Sequence, residues 1–131
     1  MHSQTHQARG LPAPLYALLH LPGGLISGFV NVTLGFVLSR HGVSVAAVSG
    51  LVGLYLAPTT WSFVAGPVID ASLTPRLWYA MMVAVVVAGF IGFAVTPMTA
   101  AALPVLGALC LGVSIGGVCA GSAVTAAMVR P

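Results

Sequence analysis

Apolar side chains fill most of this chain, and charged side chains interrupt them at only a few points. Three stretches, at 10–39, 41–69 and 77–129, contain no Asp, Glu, Lys or Arg. A helix that crosses a bilayer needs about 20 predominantly apolar residues, so each of the first two stretches predicts one span. The third is too long for one crossing at about 1.5 Å per residue, and the turn signal Thr96-Pro97-Met98-Thr99 divides it. The pattern therefore predicts a polar cytoplasmic tail at 1–13 and a helical bundle at 14–131, with spans near 14–38, 44–66, 77–96 and 103–128.

The composition excludes two other broad classes of protein. Hydrophobic residues make up 59% of the chain and charged residues 4%, whereas about 25% of an ordinary soluble domain is charged. A soluble fold needs a polar surface, and a disordered chain is polar and charged, so neither class fits. We expect an all-α, polytopic membrane protein whose main partner is the lipid bilayer. Its few basic residues are too scattered to form a nucleic-acid surface.

The placement of the arginines predicts how the chain is oriented. Arg9, Arg76 and Arg130 fall on one side of the four-span arrangement, and Arg40 falls on the other. Cytoplasmic loops carry an excess of Lys and Arg. The bias therefore favours a cytoplasmic amino terminus.

The first predicted span carries a polar stripe. His20, Gly24, Ser27 and Asn31 lie within a sector of roughly 60° on a helical wheel. An unpaired imidazole or amide costs several kcal/mol in hydrocarbon, so we expect this stripe to face other helices or water. Two interpretations stay open: close packing between helices, or one wall of a water-filled substrate path.

The fourth predicted span carries a stripe of small and polar residues. Its members are Cys110, Ser114, Gly117, Gly121 and Thr125. Glycines four residues apart, such as Gly112 and Gly116, let two helices approach closely in a membrane. We therefore expect this helix to be tightly packed.

The segment between the second and third spans contains Asp70, the only acid in the chain. A carboxylate here could cap a helix amino terminus and pair with Arg76. Such a pair can act as a latch that one conformational state makes and another breaks. The alternative is a solvated Asp in a tight turn.

Motifs around this segment resemble those of a known family. The run Trp61-Ser62-Phe63-Val64-Ala65-Gly66-Pro67-Val68-Ile69-Asp70, followed by Arg76-Leu77-Trp78, is similar to the signature loop between helices two and three of the major facilitator superfamily. Upstream, Arg40-His41-Gly42-Val43-Ser44 and the Gly-rich run 50–58 resemble the muropeptide-permease and acetyl-CoA-transporter branch. The likeness extends from about Leu21 to Tyr79.

The resemblance implies a secondary transporter that moves a small solute across a bacterial-type inner (plasma) membrane by alternating access, with protons as one option for the coupling ion. Gly66, Asp70 and Arg76 would form the gating loop. In such folds the first and fourth helices line the central cavity. The candidate cavity-lining residues are His20, Asn31, Tyr55, Ser114 and Thr125. Since the family has twelve spans in two halves, this chain would be an amino-terminal fragment of a longer transporter, a truncated gene product, or a subunit completed by other chains.

A function of another class also fits the sequence. The chain could be a small self-associating membrane scaffold or subunit, held together through its glycine stripes, with no transport activity of its own. An intramembrane enzyme is the weakest interpretation, because we find no nucleophile–base pair, metal-ligand cluster or phosphate-binding loop. We expect no cofactor and no metal.

Overall fold

The computed structural model describes residues 13–63 and 74–129, and these residues form helices joined by short turns. In chain order the elements are α1 (Ala13–Gly28), a π-helical segment (Phe29–Leu34), α2 (Gly35–Arg40), α3 (Val45–Thr60), α4 (Pro75–Val95), a 3₁₀ turn (Ala100–Ala102) and α5 (Leu103–Val129). No strand occurs in the part of the chain that the structure describes. The all-α prediction is confirmed.

Three of the helical stretches are long and apolar enough to cross a membrane. They are Pro14–Arg40, which joins α1, the π-helical segment and α2, then Arg76–Val95 and Ala100–Ala126. The apolar helix α3 is shorter, at 16 residues, or about 24 Å at 1.5 Å per residue. Its sequence prediction, 44–66, ends in residues 64–66, which lie outside the described residues. The chain is therefore a helical membrane protein with at least three helices of spanning length.

The turn between α2 and α3 shows why the chain reverses there. Gly42 has a φ of +77°, a conformation that glycine adopts without steric cost. Its N–H donates to the Ser39 carbonyl, and the Val43 N–H donates to the Leu38 carbonyl, both at 3.1 Å. These are the paired hydrogen bonds of a Schellman motif. The Ser44 Oγ then accepts from the Ala47 N–H at 3.3 Å and caps the start of α3.

Helix α5 is the centre of the bundle, because α1, α3 and α4 all pack against it. The core combines a stripe on the first long helix with facing residues of the others. Its side chains include Ile26, Val30, Leu34, Leu38, Leu51, Val86, Phe93, Leu106 and Val113. Large apolar side chains such as Leu25, Ile91 and Val95 remain exposed on the outside. An apolar outer surface suits a bundle whose solvent is lipid.

Glycines allow α4 and α5 to lie close together. A Cβ built at Gly89 would overlap Cγ2 of Val113, and one built at Gly92 would lie 2.6 Å from Cδ2 of Leu109. On α5, a Cβ at Gly116 would lie 3.2 Å from the Met82 carbonyl oxygen. Small residues at such crossings let two backbones approach in a membrane.

Aromatic contacts hold the first long helix against α4. The ring of Phe29 lies 5.4 Å from the ring of Phe90, in a T-shaped arrangement, and 5.4 Å from the ring of Phe93. Ring separations of this size are favourable for aromatic pairs. The cluster fixes the π-helical segment against the second half of α4.

Candidate functional site

A small cavity lies between α1, α4 and α5, toward the end of the bundle where α1 and α4 begin and α5 ends. Its volume is about 60 Å³. Since liquid water occupies about 30 Å³ per molecule, the cavity has room for a few waters or a similarly small polar group. Its lining includes Leu19, His20 and Gly23 of α1, Tyr79 of α4, and Gly117 and Gly121 of α5.

Tyr79 supplies one polar group at this cavity and ties α4 to α1. Its hydroxyl donates to the Leu19 carbonyl oxygen at 3.1 Å. Pro22, three residues after Leu19, lies inside α1. Because it has no N–H to donate to the preceding turn, it favours a bend in the helix. The hydrogen bond therefore anchors α1 beside a weak point in its backbone.

His20 supplies the other polar group. Its Nδ1 lies 3.2 Å from the Tyr16 carbonyl oxygen. A carbonyl oxygen can only accept, so Nδ1 carries the proton in this contact and, in the neutral imidazole, Nε2 is left as an acceptor. The side chain is exposed and belongs to the lining of the cavity, so water or a solute can reach it.

The remainder of the polar stripe on the first long helix points away from the bundle. Gly24 and Asn31 are exposed and Ser27 is half-buried, while Ile26 and Val30 on the other side of the helix are buried. Asn31 Nδ2 donates to the carbonyl oxygen of Ser27 at 2.9 Å and to its Oγ at 3.2 Å. Apart from His20, the stripe thus faces outward and not toward α3, α4 or α5.

Ser114 and Tyr55 are brought together deep in the bundle, away from the cavity. Both are buried, and the Ser114 hydroxyl donates to the Tyr55 carbonyl oxygen. A carbonyl has two lone pairs, so it can accept this bond from another helix. The pair joins α5 to α3.

Replacing Ser114 with alanine should lower the free energy of unfolding by about 1 kcal/mol, because one interhelical hydrogen bond is lost and little volume changes. Equilibrium unfolding in mixed detergent micelles measures this difference. Ser122→Ala is the matched control, since the Ser122 hydroxyl donates within its own helix, to Val118 at 3.0 Å. Equal losses for the two variants would contradict an interhelical role for Ser114.

Thr125 is exposed, and its hydroxyl donates to the Gly121 carbonyl oxygen at 3.0 Å. Gly121 lines the cavity, so Thr125 lies one turn beyond it along α5. The five candidate cavity residues therefore occupy separate places. His20 lies at the cavity and Thr125 near it, Tyr55 and Ser114 lie in the core, and Asn31 lies on the outer surface.

Most of the predicted gating loop lies outside the residues that the structure describes. Gly66 and Asp70 are not among the described residues. Arg76 is exposed in the first turn of α4, one turn before Tyr79. It therefore lies at the same end of the bundle as the cavity, and its pairing with Asp70 stays a prediction.

Tyr79 supplies a hydroxyl at the cavity, but it is not among the candidate residues that the sequence predicts. The available signal was a tyrosine next to Trp78 at the start of an apolar span, a position typical of residues at the membrane interface. No property of the sequence pattern pairs that hydroxyl with a carbonyl 60 residues earlier. Within the described residues, no group of three or more His, Cys, Asp or Glu side chains could hold a metal ion.

Comparison with known proteins gives no relative: no family model, no curated protein and no solved structure matches this chain.

Proposed function

We propose that the chain is a membrane transport protein, a secondary transporter that moves a small solute by alternating access, with further helices or another subunit completing its path. The observation that carries the proposal is the cavity against α1, where the imidazole of His20 and the hydroxyl of Tyr79 interrupt an apolar bundle. Polar groups within a membrane bundle are costly and are commonly found along substrate paths.

The irregular backbone beside this cavity supports the same proposal. Pro22 lies inside α1, and the π-helical segment follows Gly28 directly. Short π-helical segments are frequent at functional sites, and transporters use interrupted helices near their substrates. A helix with two irregular points can bend without losing the contacts of α5 with α3 and α4.

The resemblance to the major facilitator superfamily supplies a gate for this path. Arg76 lies one turn from Tyr79, so a latch between Arg76 and Asp70 would close the end of the bundle that holds the cavity. In this proposal the amino terminus is cytoplasmic, the membrane is the inner (plasma) membrane, and the chain is an amino-terminal portion of a larger transport assembly.

A second function is favoured by a different observation. Gly24 and Gly28 are exposed and meet no described atom within 4 Å of an added Cβ, so they are free to contact another helix. A self-associating membrane scaffold needs such a surface and needs no substrate path. The scaffold proposal predicts association in membranes without solute uptake.

The transport proposal can be tested in cells that lack the gene and are complemented with variants, because natural partners are then present. We expect the wild-type chain to restore uptake of at least one class in a panel of isotope-labelled amino acids, hexoses and short peptides. Tyr79→Phe should reduce that uptake about tenfold, as expected for one lost hydrogen bond at a path.

Tyr16→Phe is the matched control, because Tyr16 is on α1 but does not line the cavity. It should leave uptake unchanged. If no solute class depends on the chain, the transport proposal fails and the scaffold is favoured. If Tyr79→Phe and Tyr16→Phe change uptake equally, the cavity is not part of the substrate path.

A further inference from the structure

The first long helix presents an outer face of small and polar residues that none of the other described helices covers. We define this outer face as Gly24, Ser27, Gly28 and Asn31. Gly24, Gly28 and Asn31 are exposed and Ser27 is half-buried, so these positions lie on the side of the helix that faces away from α3, α4 and α5. Ile26, Val30 and Leu34, which are at most 1% exposed, form the opposite, inward side.

Four other glycines of the chain lie where two helices meet. Gly89, Gly92, Gly107 and Gly116 all have a side chain of a neighbouring helix within 3.4 Å of an added Cβ. At Gly24 and Gly28 the same construction finds no described atom within 4 Å. The outer face thus has the composition of a helix contact, yet no described helix contacts it.

Asn31 makes an uncovered face costly in a membrane. It lies nine residues before Arg40, or about 13 Å along the helix axis, so it is inside the hydrocarbon when Arg40 is at the interface. Its Nδ2 hydrogen bonds stay within its own helix, and no described residue donates to its Oδ1. An amide oxygen exposed to lipid has no donor available.

The chemistry of the outer face fits a second copy of itself. A carboxamide both donates and accepts, so two Asn31 side chains related by a two-fold axis complement each other. The face holds no formal charge, so two copies meet without repulsion. Isologous contacts of this kind are the most common in soluble oligomers and need only one self-complementary surface.

We propose that the chain forms a homodimer in the membrane through this outer face, with two copies in the same orientation and their Asn31 carboxamides hydrogen-bonded across the two-fold axis. Gly24 and Gly28 let the two helices approach closely enough for that contact. The proposal does not rest on transport, since a dimer could belong to a transporter or to a scaffold.

Single-molecule photobleaching of the labelled full-length chain in liposomes, at decreasing protein-to-lipid ratios, tests the proposal. We expect a wild-type dimer. Asn31→Leu and Gly28→Leu should each weaken association about tenfold or more, through a lost hydrogen bond and through steric separation. The matched controls are Thr33→Leu and Gly53→Leu, which are exposed positions outside the outer face and should leave association unchanged.

Crosslinking provides a second measurement with a milder substitution. Copper-phenanthroline oxidation should join Ser27→Cys chains into covalent dimers, while Ser49→Cys, at an exposed site on α3, and the wild type with its native Cys110 and Cys119 should stay at background. A wild-type monomer at every lipid ratio would overturn the proposal, as would association that neither Asn31→Leu nor Gly28→Leu changes. Monomers that bind only another protein would mean that a different partner covers this face. A dimer without solute uptake would leave this inference standing and would refute only the transport proposal.

Discussion

Replacing Phe29 with alanine is expected to lower the free energy of unfolding by about 3 kcal/mol, the low end of the range for buried Phe→Ala substitutions. The low end applies because the Phe29 side chain is half-buried. The substitution removes two ring contacts, with Phe90 and Phe93, each at 5.4 Å. Aromatic pairs contribute about 0.5–1.5 kcal/mol each beyond the area they bury, so most of the loss should come from this one cluster.

Phe36→Ala on the same long helix is the matched control. Phe36 is 59% exposed, and its ring contacts the Arg40 guanidinium at 5.0 Å, a contact worth about 0.5–1 kcal/mol at an exposed site. Equilibrium unfolding in mixed micelles, followed by circular dichroism, should separate the two variants clearly. Losses of the same size would mean that α4 does not depend on Phe29 for its contact with the first helix.

The helices themselves could be predicted from the sequence because length, apolarity and punctuation determine them locally. Stretches without charged residues predict the helices, and Gly42 and Pro97 lie in two of the turns between them. The predicted second span, 44–66, includes α3 at Val45–Thr60, and its end at 64–66 lies outside the described residues. Pro58 occupies the last turn of α3, and proline disfavours continuation of a helix.

The sequence predicts that the first helix exists, but not which of its faces packs against the other helices. The wheel placed His20, Gly24, Ser27 and Asn31 on one stripe, and the expectation was that other helices or water would cover it. In the structure Asn31 faces away from the other described helices while Val30 packs inward, so the expectation for the stripe stays a prediction. In a membrane, lipid and core are both apolar, so the sequence alone does not say which apolar face packs against its own chain.

The sequence also does not predict which glycines contact a neighbouring helix. Gly112 and Gly116 were expected to form a contact together, yet only Gly116 lies against α4, while a Cβ at Gly112 would meet no described atom within 4 Å. Gly89 and Gly92 on α4 make contacts that the sequence analysis did not identify. A spacing of four residues selects positions on one helix, but the partner's side chains decide which of them are close.

Replacing Gly89 with alanine is expected to lower the free energy of unfolding by about 2 kcal/mol, within the range for overpacked cores. The new methyl group would overlap Cγ2 of Val113. Valine has few alternative rotamers in a helix, so the two backbones must separate. The same substitution at Gly112, where an added Cβ meets no described atom within 4 Å, has no such contact to disturb.

The double variant Gly89→Ala, Val113→Ala tests directly whether Gly89 and Val113 are in contact. Val113→Ala alone should be destabilising, because Val113 is 1% exposed and its removal leaves a cavity. If the overlap is the cause, the double variant should be more stable than the sum of the two single losses predicts, by about 1 kcal/mol or more. Strict additivity in unfolding measurements would show that Gly89 and Val113 do not touch, whereas a positive coupling would establish that α4 and α5 meet at this pair and would fix the packing of the central helix.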